Sequence, residues 1–148
     1  YTDDSKTKTK VIERINEQSE GIRLEDADIV IAGGRGLGGA EPFDTLNEIA
    51  DLLNAAVGAS RAVCDAGWMD HSYQIGLTGK DISPNLYLTV AISGASQHMA
   101  GCGNSKNIVS IDKNDEANIF NDAAFGAVGE WKNILPGFLD TLKDLVKE

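Results

Sequence analysis

The hydrophobic positions of this chain fall into continuous apolar runs that alternate with segments of helical spacing. Mainly apolar runs predict buried strands at 28–32, 86–92 and 107–111, and "AFGAVGE" at 124–130 predicts a last short strand. The segment "ASRAVCDAG" at 59–67 predicts a short strand or a strand followed by a turn. Apolar strands that alternate with helices are typical of a parallel sheet covered on both faces, so the pattern predicts an α/β fold.

Apolar residues at helical spacing predict the main helices. A short amphipathic helix carries Val11, Ile12 and Ile15 on one face. A second helix begins near Pro42 and ends before Gly58, with an apolar face of Phe43, Leu46, Ile49, Ala50 and Leu53. A C-terminal helix has Pro136 in its first turn or at a bend, and its stripe consists of Ile134, Leu135, Phe138, Leu139, Leu142, Leu145 and Val146. Ser93, which follows a strand, is placed to cap one more helix.

Three polar or glycine-rich clusters follow predicted strands or lie at turns, namely 33–39, 58–61 and 93–98. The loop 74–78 lies between the second and third of them in chain order. In parallel sheets ligands bind beyond the carboxyl ends of the strands. The three clusters therefore predict one ligand site at this edge of the sheet.

The glycine turn allows several interpretations. Gly34, Gly36 and Gly39 fit G-x-G-x-x-G, the fingerprint of dinucleotide-binding crossovers, although a tight turn without a ligand has the same spacing. A nicotinamide dehydrogenase also needs an acidic residue for the ribose, and Asp65 lies later than the usual spacing of about 20 residues. Arg35 inside the turn is unusual for that fingerprint and favours a different pyrophosphate-containing ligand.

Polar side chains in the other two clusters are candidates for ligand contacts. Ser60 resembles the serine of a nucleophile elbow, but the adjacent Arg61 is no base, so a hydroxyl donor to phosphate is the better interpretation. Arg61 is either a permanent cation against the ligand or a surface arginine. His98 is either a core residue or a donor to a ligand oxygen. No spacing of His and Cys predicts a metal site.

Composition limits the classes of partner. The formal net charge of −10 argues against nucleic-acid binding, which depends on clustered Lys and Arg. The sequence has no apolar run near the roughly 20 residues that a membrane helix needs. Two cysteines without a C-x-x-C motif fit a reducing compartment. Because the chain starts at Tyr1 rather than Met, we expect it to be a fragment.

Five motifs then occur in a fixed order: "GGRGL", "GASRAVCDAG", "QIGLTGK", "LYLTVAISGASQHMAG" and "IFNDAAFGAVGE". In this order they resemble the C-terminal FAD domain of electron-transfer flavoprotein alpha subunits. The preceding "ERINEQSEGIRLEDAD" resembles the connector of anaerobic bacterial members, some of which take part in flavin-based electron bifurcation. The resemblance implies a connector over 1–27 and an FAD-binding domain over 28–148, without the family's separate N-terminal domain. It also implies a three-layer Rossmann-like fold, similar to deoxyhypusine synthase, with a six-stranded, mainly parallel sheet.

The resemblance further implies which residues hold FAD. Arg35 contacts the cofactor, Ser60 holds the pyrophosphate and Arg61 lies over the isoalloxazine ring. The remaining implied contacts are the flavin-lining loop Ile75, Gly76, Leu77 and Thr78 (Thr78 near N(5)), the turn Ser93, Gly94, Ala95, Ser96, Gln97 and His98 (His98 at the C(2) carbonyl), and, on the adenosine side, Asp112, Glu130 and Trp131. Family members commonly have Gln, Asn and Asp where this sequence has Leu77, Asp112 and Glu130.

The implied function is that of an FAD-dependent electron carrier rather than a stand-alone enzyme. It would form a heterodimer with a beta subunit and exchange electrons with an acyl-CoA or similar flavin dehydrogenase, in the bacterial cytoplasm. His98, Arg61 and the helix end at Ser93 would offset negative charge on the flavin. Two alternatives stay open: a nicotinamide-dependent oxidoreductase domain that uses Asp65, and a nucleotide-binding interaction module that holds AMP.

Overall fold

The computed structural model describes residues 23–147, which form a five-stranded parallel sheet with helices on both faces. The strands are β1 (Ile29–Gly33), β2 (Ala56–Ala59), β3 (Leu86–Val90), β4 (Asn107–Asp112) and β5 (Phe125–Val128). The helices are α1 (Phe43–Leu53), α2 (Arg61–Asp65), α3 (Ser96–Cys102) and α4 (Trp131–Lys147), with 3-10 turns at Leu24–Asp26, Arg35–Leu37, His71–Tyr73 and Asn118–Asn121. The predicted α/β class and parallel sheet are confirmed, with five strands in this range where the resemblance implies six. The predicted helix at Val11, Ile12 and Ile15 lies outside the described residues.

Alternate side chains of the strands enter two separate cores, which makes the domain three-layered. Val30 and Tyr87 face the core on the α3 side of the sheet. Ile31 and Leu88, one residue further along their strands, face the core formed with α1 and α4. Burial of each large side chain in these cores contributes roughly 1.5–3 kcal/mol. This strict alternation is what the period of a strand demands when both faces are covered.

The strand order β2-β1-β3-β4-β5 places a switch point between β1 and β3. From β1 the chain goes to β2 on one side, and it then returns to β3 on the other side of β1. The connections after β1 and β3 therefore diverge and leave a crevice beyond the carboxyl ends of these strands. The crevice is where the sequence predicts a ligand site.

The segment after α1 differs from the prediction. The strand predicted within 59–67 lies earlier, at Ala56–Ala59, and residues 61–65 form α2. Helix α1 ends at Leu53 because Asn54 adopts a left-handed conformation (φ 56°), which caps the helix without a glycine. The helix thus ends before Gly58, as predicted, and Gly58 itself lies inside β2.

Two further helix predictions need correction. Helix α3 begins at Ser96 with Ala95 at its N-cap, so Ser93 does not cap it. Gly94 (φ 86°) turns the chain between the strand and this helix. In α4, Pro136 lies in the second turn rather than the first, and the alternative that it bends the helix stays a prediction. Leu145, a member of the predicted stripe, is exposed, whereas Leu135 is fully buried.

Two features bear on the predicted classes of partner and ligand. Among the helices of residues 23–147, none combines the length and apolar character that a bilayer crossing requires. The same residues contain no group of three or more His, Cys, Asp or Glu arranged to hold a metal ion.

Candidate functional site

A cleft of about 410 Å³ opens at the carboxyl ends of β1, β2 and β3. Its volume lies within the roughly 300–1,000 Å³ that is usual for small-molecule sites. Most of the predicted site residues line it: Arg35, Ser60, Arg61, Ile75, Gly76, Leu77, Thr78, Ser93, Gly94, Ala95, Gln97, His98 and Asp112. Ser96, the first residue of α3, is exposed and is not part of this lining.

A smaller cavity of about 50 Å³ adjoins the cleft, and the other predicted residues, Glu130 and Trp131, line it. Gly36, Ala91 and Asp112 line both cavities. Trp131 donates its indole N–H to the carbonyl of Gly36 (3.2 Å), which ties the start of α4 to the glycine turn. Asp112 accepts a hydrogen bond from the backbone N–H of Asn114 (2.9 Å). The indole N–H of Trp131 and one carboxylate oxygen of Asp112 thus already have partners within the protein.

The glycine turn packs against the end of β3 rather than against a helix. A Cβ atom on Gly34 would lie 2.1 Å from the carbonyl oxygen of Ala91, so only glycine fits there. A Cβ on Gly39 would meet nothing within 4 Å. In a nicotinamide-binding fingerprint the third glycine permits close packing of helix on strand. Gly39 does not serve that purpose, so the spacing of these glycines is not evidence for a nicotinamide site.

The Ser60 hydroxyl is buried, and among residues 23–147 it has no hydrogen-bond partner. Ser60 stands at the N-cap of α2, but its side chain does not cap that helix. A buried polar atom without a partner is costly, and few native structures tolerate one without a ligand or water. Because Ser60 also lines the cleft, this hydroxyl is available to donate to an oxygen of a bound molecule.

Arg61 brings a permanent positive charge to the cleft, and its side chain is 65% exposed. Its Nε lies 3.4 Å from a carboxylate oxygen of Asp65, whose other oxygen lies 3.1 Å from Nε2 of His71. The hydrogen bond with His71 is the main cause that lowers the pKa of Asp65, and Arg61 contributes less. The nicotinamide alternative required Asp65 at the end of the second strand. The structure places it in the last turn of α2, where it pairs with two basic side chains.

The loop 74–80 forms one wall of the cleft and is fixed by hydrogen bonds at several points. The backbone N–H of Ile75 donates to Ala59 at the end of β2 (2.9 Å), and that of Leu77 donates to Gln97 in α3 (2.7 Å). Helix α3 approaches this loop so closely that a Cβ on Gly101 would lie 2.5 Å from the backbone nitrogen of Gly76. The loop is therefore held in place between β2 and α3.

Gln74 orients the hydroxyl of Thr78. The buried amide of Gln74 donates to Oγ1 of Thr78 at 2.9 Å. The Thr78 oxygen accepts this bond, so its own hydrogen remains free to donate elsewhere. Leu77 beside it is 68% exposed, a large apolar surface at the cleft.

His98 is buried at the cleft with its two ring nitrogens in different situations. Nε2 lies 2.7 Å from the hydroxyl of the fully buried Tyr87. Nδ1 is also buried, and it has no hydrogen-bond partner in the described part of the chain. Burial lowers the pKa of His98 to about 4, and a polar interaction with the backbone of Ile75 partly opposes that shift. The Ile75 backbone is too poorly aligned to form a hydrogen bond with Nδ1, so that nitrogen still lacks a partner. The imidazole is therefore neutral at pH 7.

Three residues shape the cleft without a contact assigned to them from the sequence. Gln74 directly precedes the "IGLTG" stretch, and a polar residue at the start of a loop gives no sign of burial. Tyr87 lies in a continuous apolar run, which indicates a buried ring and gives no sign of a hydrogen bond from its hydroxyl. Ala91 adopts a left-handed conformation (φ 61°) that is unusual for alanine, and no sequence pattern signals it.

The strand order and the cleft at the switch point define a doubly wound α/β domain. Residues 23–103 match the family model described as the electron transfer flavoprotein FAD-binding domain. The chain therefore belongs to the electron-transfer flavoprotein alpha family, as the resemblance implied.

Curated relatives support the same family. The alpha subunit of electron transfer flavoprotein from Thermoanaerobacterium thermosaccharolyticum is 44% identical over 142 residues, 96% of this chain and 43% of the relative. The alpha subunit from Megasphaera elsdenii is 47% identical over 91% of this chain and 40% of its own length. The one from Bacillus subtilis is 46% identical over 93% and 42%. The chain thus spans about two fifths of the length of these relatives.

Proposed function

We propose that this chain binds FAD in the large cleft and acts as the FAD-binding part of an electron-transfer flavoprotein. The observation that carries the proposal is a pair of buried polar atoms, Oγ of Ser60 and Nδ1 of His98, in one cleft of an FAD-binding-domain family member. Neither atom has a partner within residues 23–147. Buried polar atoms of this kind need a ligand or water to complete them.

The polar groups of the cleft fit an anionic, aromatic cofactor. The Ser60 hydroxyl is suited to donate to a pyrophosphate oxygen, and the permanent charge of Arg61 favours a ligand with added negative charge. The free hydroxyl hydrogen of Thr78 is suited to a ring nitrogen, and His98 to a ring carbonyl. When bound, FAD supplies the redox chemistry, and the protein positions and tunes it. Asp112, Glu130 and Trp131 would contact the adenosine side in the adjoining cavity.

The wider assignment rests on the relatives. Their names as alpha subunits support a beta subunit as the partner. An acyl-CoA or similar flavin dehydrogenase would exchange electrons with the complex. Within this chain, residues 1–27 would form a connector and residues 28–148 the FAD-binding domain. Cys64 and Cys102 are free and buried, which agrees with the reducing bacterial cytoplasm as the compartment.

An absorption spectrum of the freshly purified chain, alone and co-expressed with the beta subunit, tests the cofactor. The expected result is a yellow protein that releases FAD on denaturation and bleaches on photoreduction. Saturable NADH binding without retained flavin would favour the nicotinamide alternative. Bound AMP without a chromophore that can be photoreduced would favour the interaction module. Either result would contradict the proposal.

The substitution Ser60→Ala tests the cleft itself. Loss of a hydrogen bond to a charged phosphate should weaken FAD binding by about tenfold to a hundredfold, measured by flavin fluorescence or calorimetry. Ser83→Ala is the matched control, because Ser83 is exposed in the loop before β3. If both variants bound FAD as tightly as the wild type, the pyrophosphate would not lie at Ser60.

A further inference from the structure

The contact between Tyr87 and His98 joins the interior of the sheet to the cleft. Tyr87 lies in β3 with its side chain fully buried, and its hydroxyl is 2.7 Å from Nε2 of His98. The two rings are nearly parallel, at an interplanar angle of 18° with their centroids 6.0 Å apart. The hydrogen bond and the ring packing therefore fix the orientation of the phenol and the imidazole relative to each other.

The direction of this hydrogen bond follows from the chemistry of the two groups. Burial raises the pKa of Tyr87 above its ordinary value, so the phenol keeps its hydrogen. The hydrogen bond to His98 is the one that the structure gives this hydroxyl within residues 23–147, so the phenol hydrogen points at Nε2. A nitrogen that accepts a hydrogen bond carries no hydrogen of its own. In a neutral imidazole the single N–H must then be at Nδ1.

We propose that Tyr87 is a positioning residue that holds His98 in its Nδ1–H tautomer, so that His98 offers a hydrogen-bond donor to an acceptor oxygen of the ligand in the cleft. The opposite tautomer would leave the phenol hydrogen without an acceptor in the core. It would also turn Nδ1 into an acceptor, which would repel a carbonyl oxygen. The identity of the ligand as a flavin rests on the proposed function, whereas the tautomer does not.

Nuclear magnetic resonance of the ¹⁵N-labelled full chain, without added flavin, measures the tautomer directly. The sequence has two histidines, His98 and the exposed His71, so the ring signals are readily separated with a His71→Gln variant. We expect a pyrrole-type shift for Nδ1 and a pyridine-type shift for Nε2 of His98. The reverse pattern, or two averaged shifts, would overturn the proposal. This measurement on the wild type needs no variant of Tyr87 to fold.

The substitution Tyr87→Phe removes the hydroxyl and retains the ring. We expect the two ring nitrogens of His98 to lose their separate shifts as both tautomers become populated, while the signals of His71 stay in place. FAD affinity should fall by about threefold to tenfold. A purely structural role of Tyr87 would lower the affinity without changing the tautomer. That result would overturn the proposal.

Titration of the labelled wild type with FAD separates this proposal from the proposed function. We expect bound FAD to shift Nδ1 of His98 more than Nε2. Tight FAD binding that leaves the Nδ1 signal unmoved would overturn the role of His98 as donor. If FAD does not bind, the proposed function fails, and the tautomer measured without flavin still decides whether Tyr87 positions His98.

Discussion

The two cavities at the carboxyl edge of the sheet differ in whether their polar groups already have hydrogen-bond partners. In the large cleft, Oγ of Ser60 and Nδ1 of His98 are buried without a partner in residues 23–147. The small cavity has the indole N–H of Trp131 and shares a carboxylate oxygen of Asp112 with the large cleft, and both groups are bonded to the backbone of the protein. A group without a partner gains a full hydrogen bond from a ligand, whereas a group with a partner gains little. Ligand affinity should therefore depend mainly on the polar groups of the large cleft. The hydrogen bonds around the small cavity should mainly stabilise the fold.

The largest expected effect concerns the backbone contact between the glycine turn and the end of β3. In Gly34→Ala the new methyl group would overlap the carbonyl of Ala91, a residue that lines both cavities. We therefore expect the free energy of unfolding to fall by about 3 kcal/mol or more. Urea denaturation measures this change. Gly39→Ala is the matched control in the same turn, because open space surrounds Gly39, and it should be nearly neutral. Equal losses in both variants would contradict the close packing at Gly34.

The next effect is a pH dependence of stability that comes from the large cleft. Folded His98 stays neutral down to a pKa of about 4, whereas in the unfolded chain it takes up a proton near its ordinary value of 6.5. As the pH falls from about 6.5 toward 4, His98 should therefore favour unfolding, by up to about 3 kcal/mol, and the loss should level off below pH 4.

Urea denaturation of wild type and His98→Gln at a series of pH values isolates this contribution, because other titrating groups cancel in the difference. The loss should disappear in His98→Gln and persist in His71→Gln, which removes the exposed histidine. If the wild type and His98→Gln follow parallel pH curves, His98 is not buried as the structure has it.

A smaller effect is expected from the tie between α4 and the glycine turn. Trp131→Phe removes the donor to Gly36 and retains an aromatic ring, so it should lower the free energy of unfolding by about 1 kcal/mol. Its FAD affinity should fall less than that of Ser60→Ala. If Trp131→Phe weakened FAD binding more than Ser60→Ala, the small cavity rather than the large cleft would dominate binding.

The smallest effect is expected at Asp112. In Asp112→Asn the amide oxygen still accepts the bond from Asn114, so FAD affinity should change by less than about threefold. Asp115→Asn, at an exposed position of the same turn, controls for the change in net charge. A loss far above that of the control would mean that the cofactor depends on the charge of the Asp112 carboxylate, which the amide cannot replace.

The sequence predicted much of the sheet and the place of the site. The strands at 28–32, 86–92 and 107–111 are each confirmed to within about two residues, because their apolar runs reflect burial on both faces. The residue at which α1 ends could not be predicted, since Asn54 takes the left-handed conformation that glycine adopts more readily. The N-cap of α3 was predicted at Ser93, two residues before its actual position at Ala95, because Ser93 has the chemistry of a cap and the chain instead turns at Gly94.

By itself, the sequence determined that polar and glycine-rich segments follow apolar strands, and in parallel sheets such segments meet at one edge. It therefore determined which segments form the site, as well as the family. Only the tertiary structure decided which atoms of those segments already have partners. Tyr87 and His98, which share a hydrogen bond, are eleven residues apart in the sequence, and Trp131 and Gly36 are ninety-five residues apart. Hydrogen bonds across such distances depend on how strands and helices pack, and no local pattern of residues encodes them.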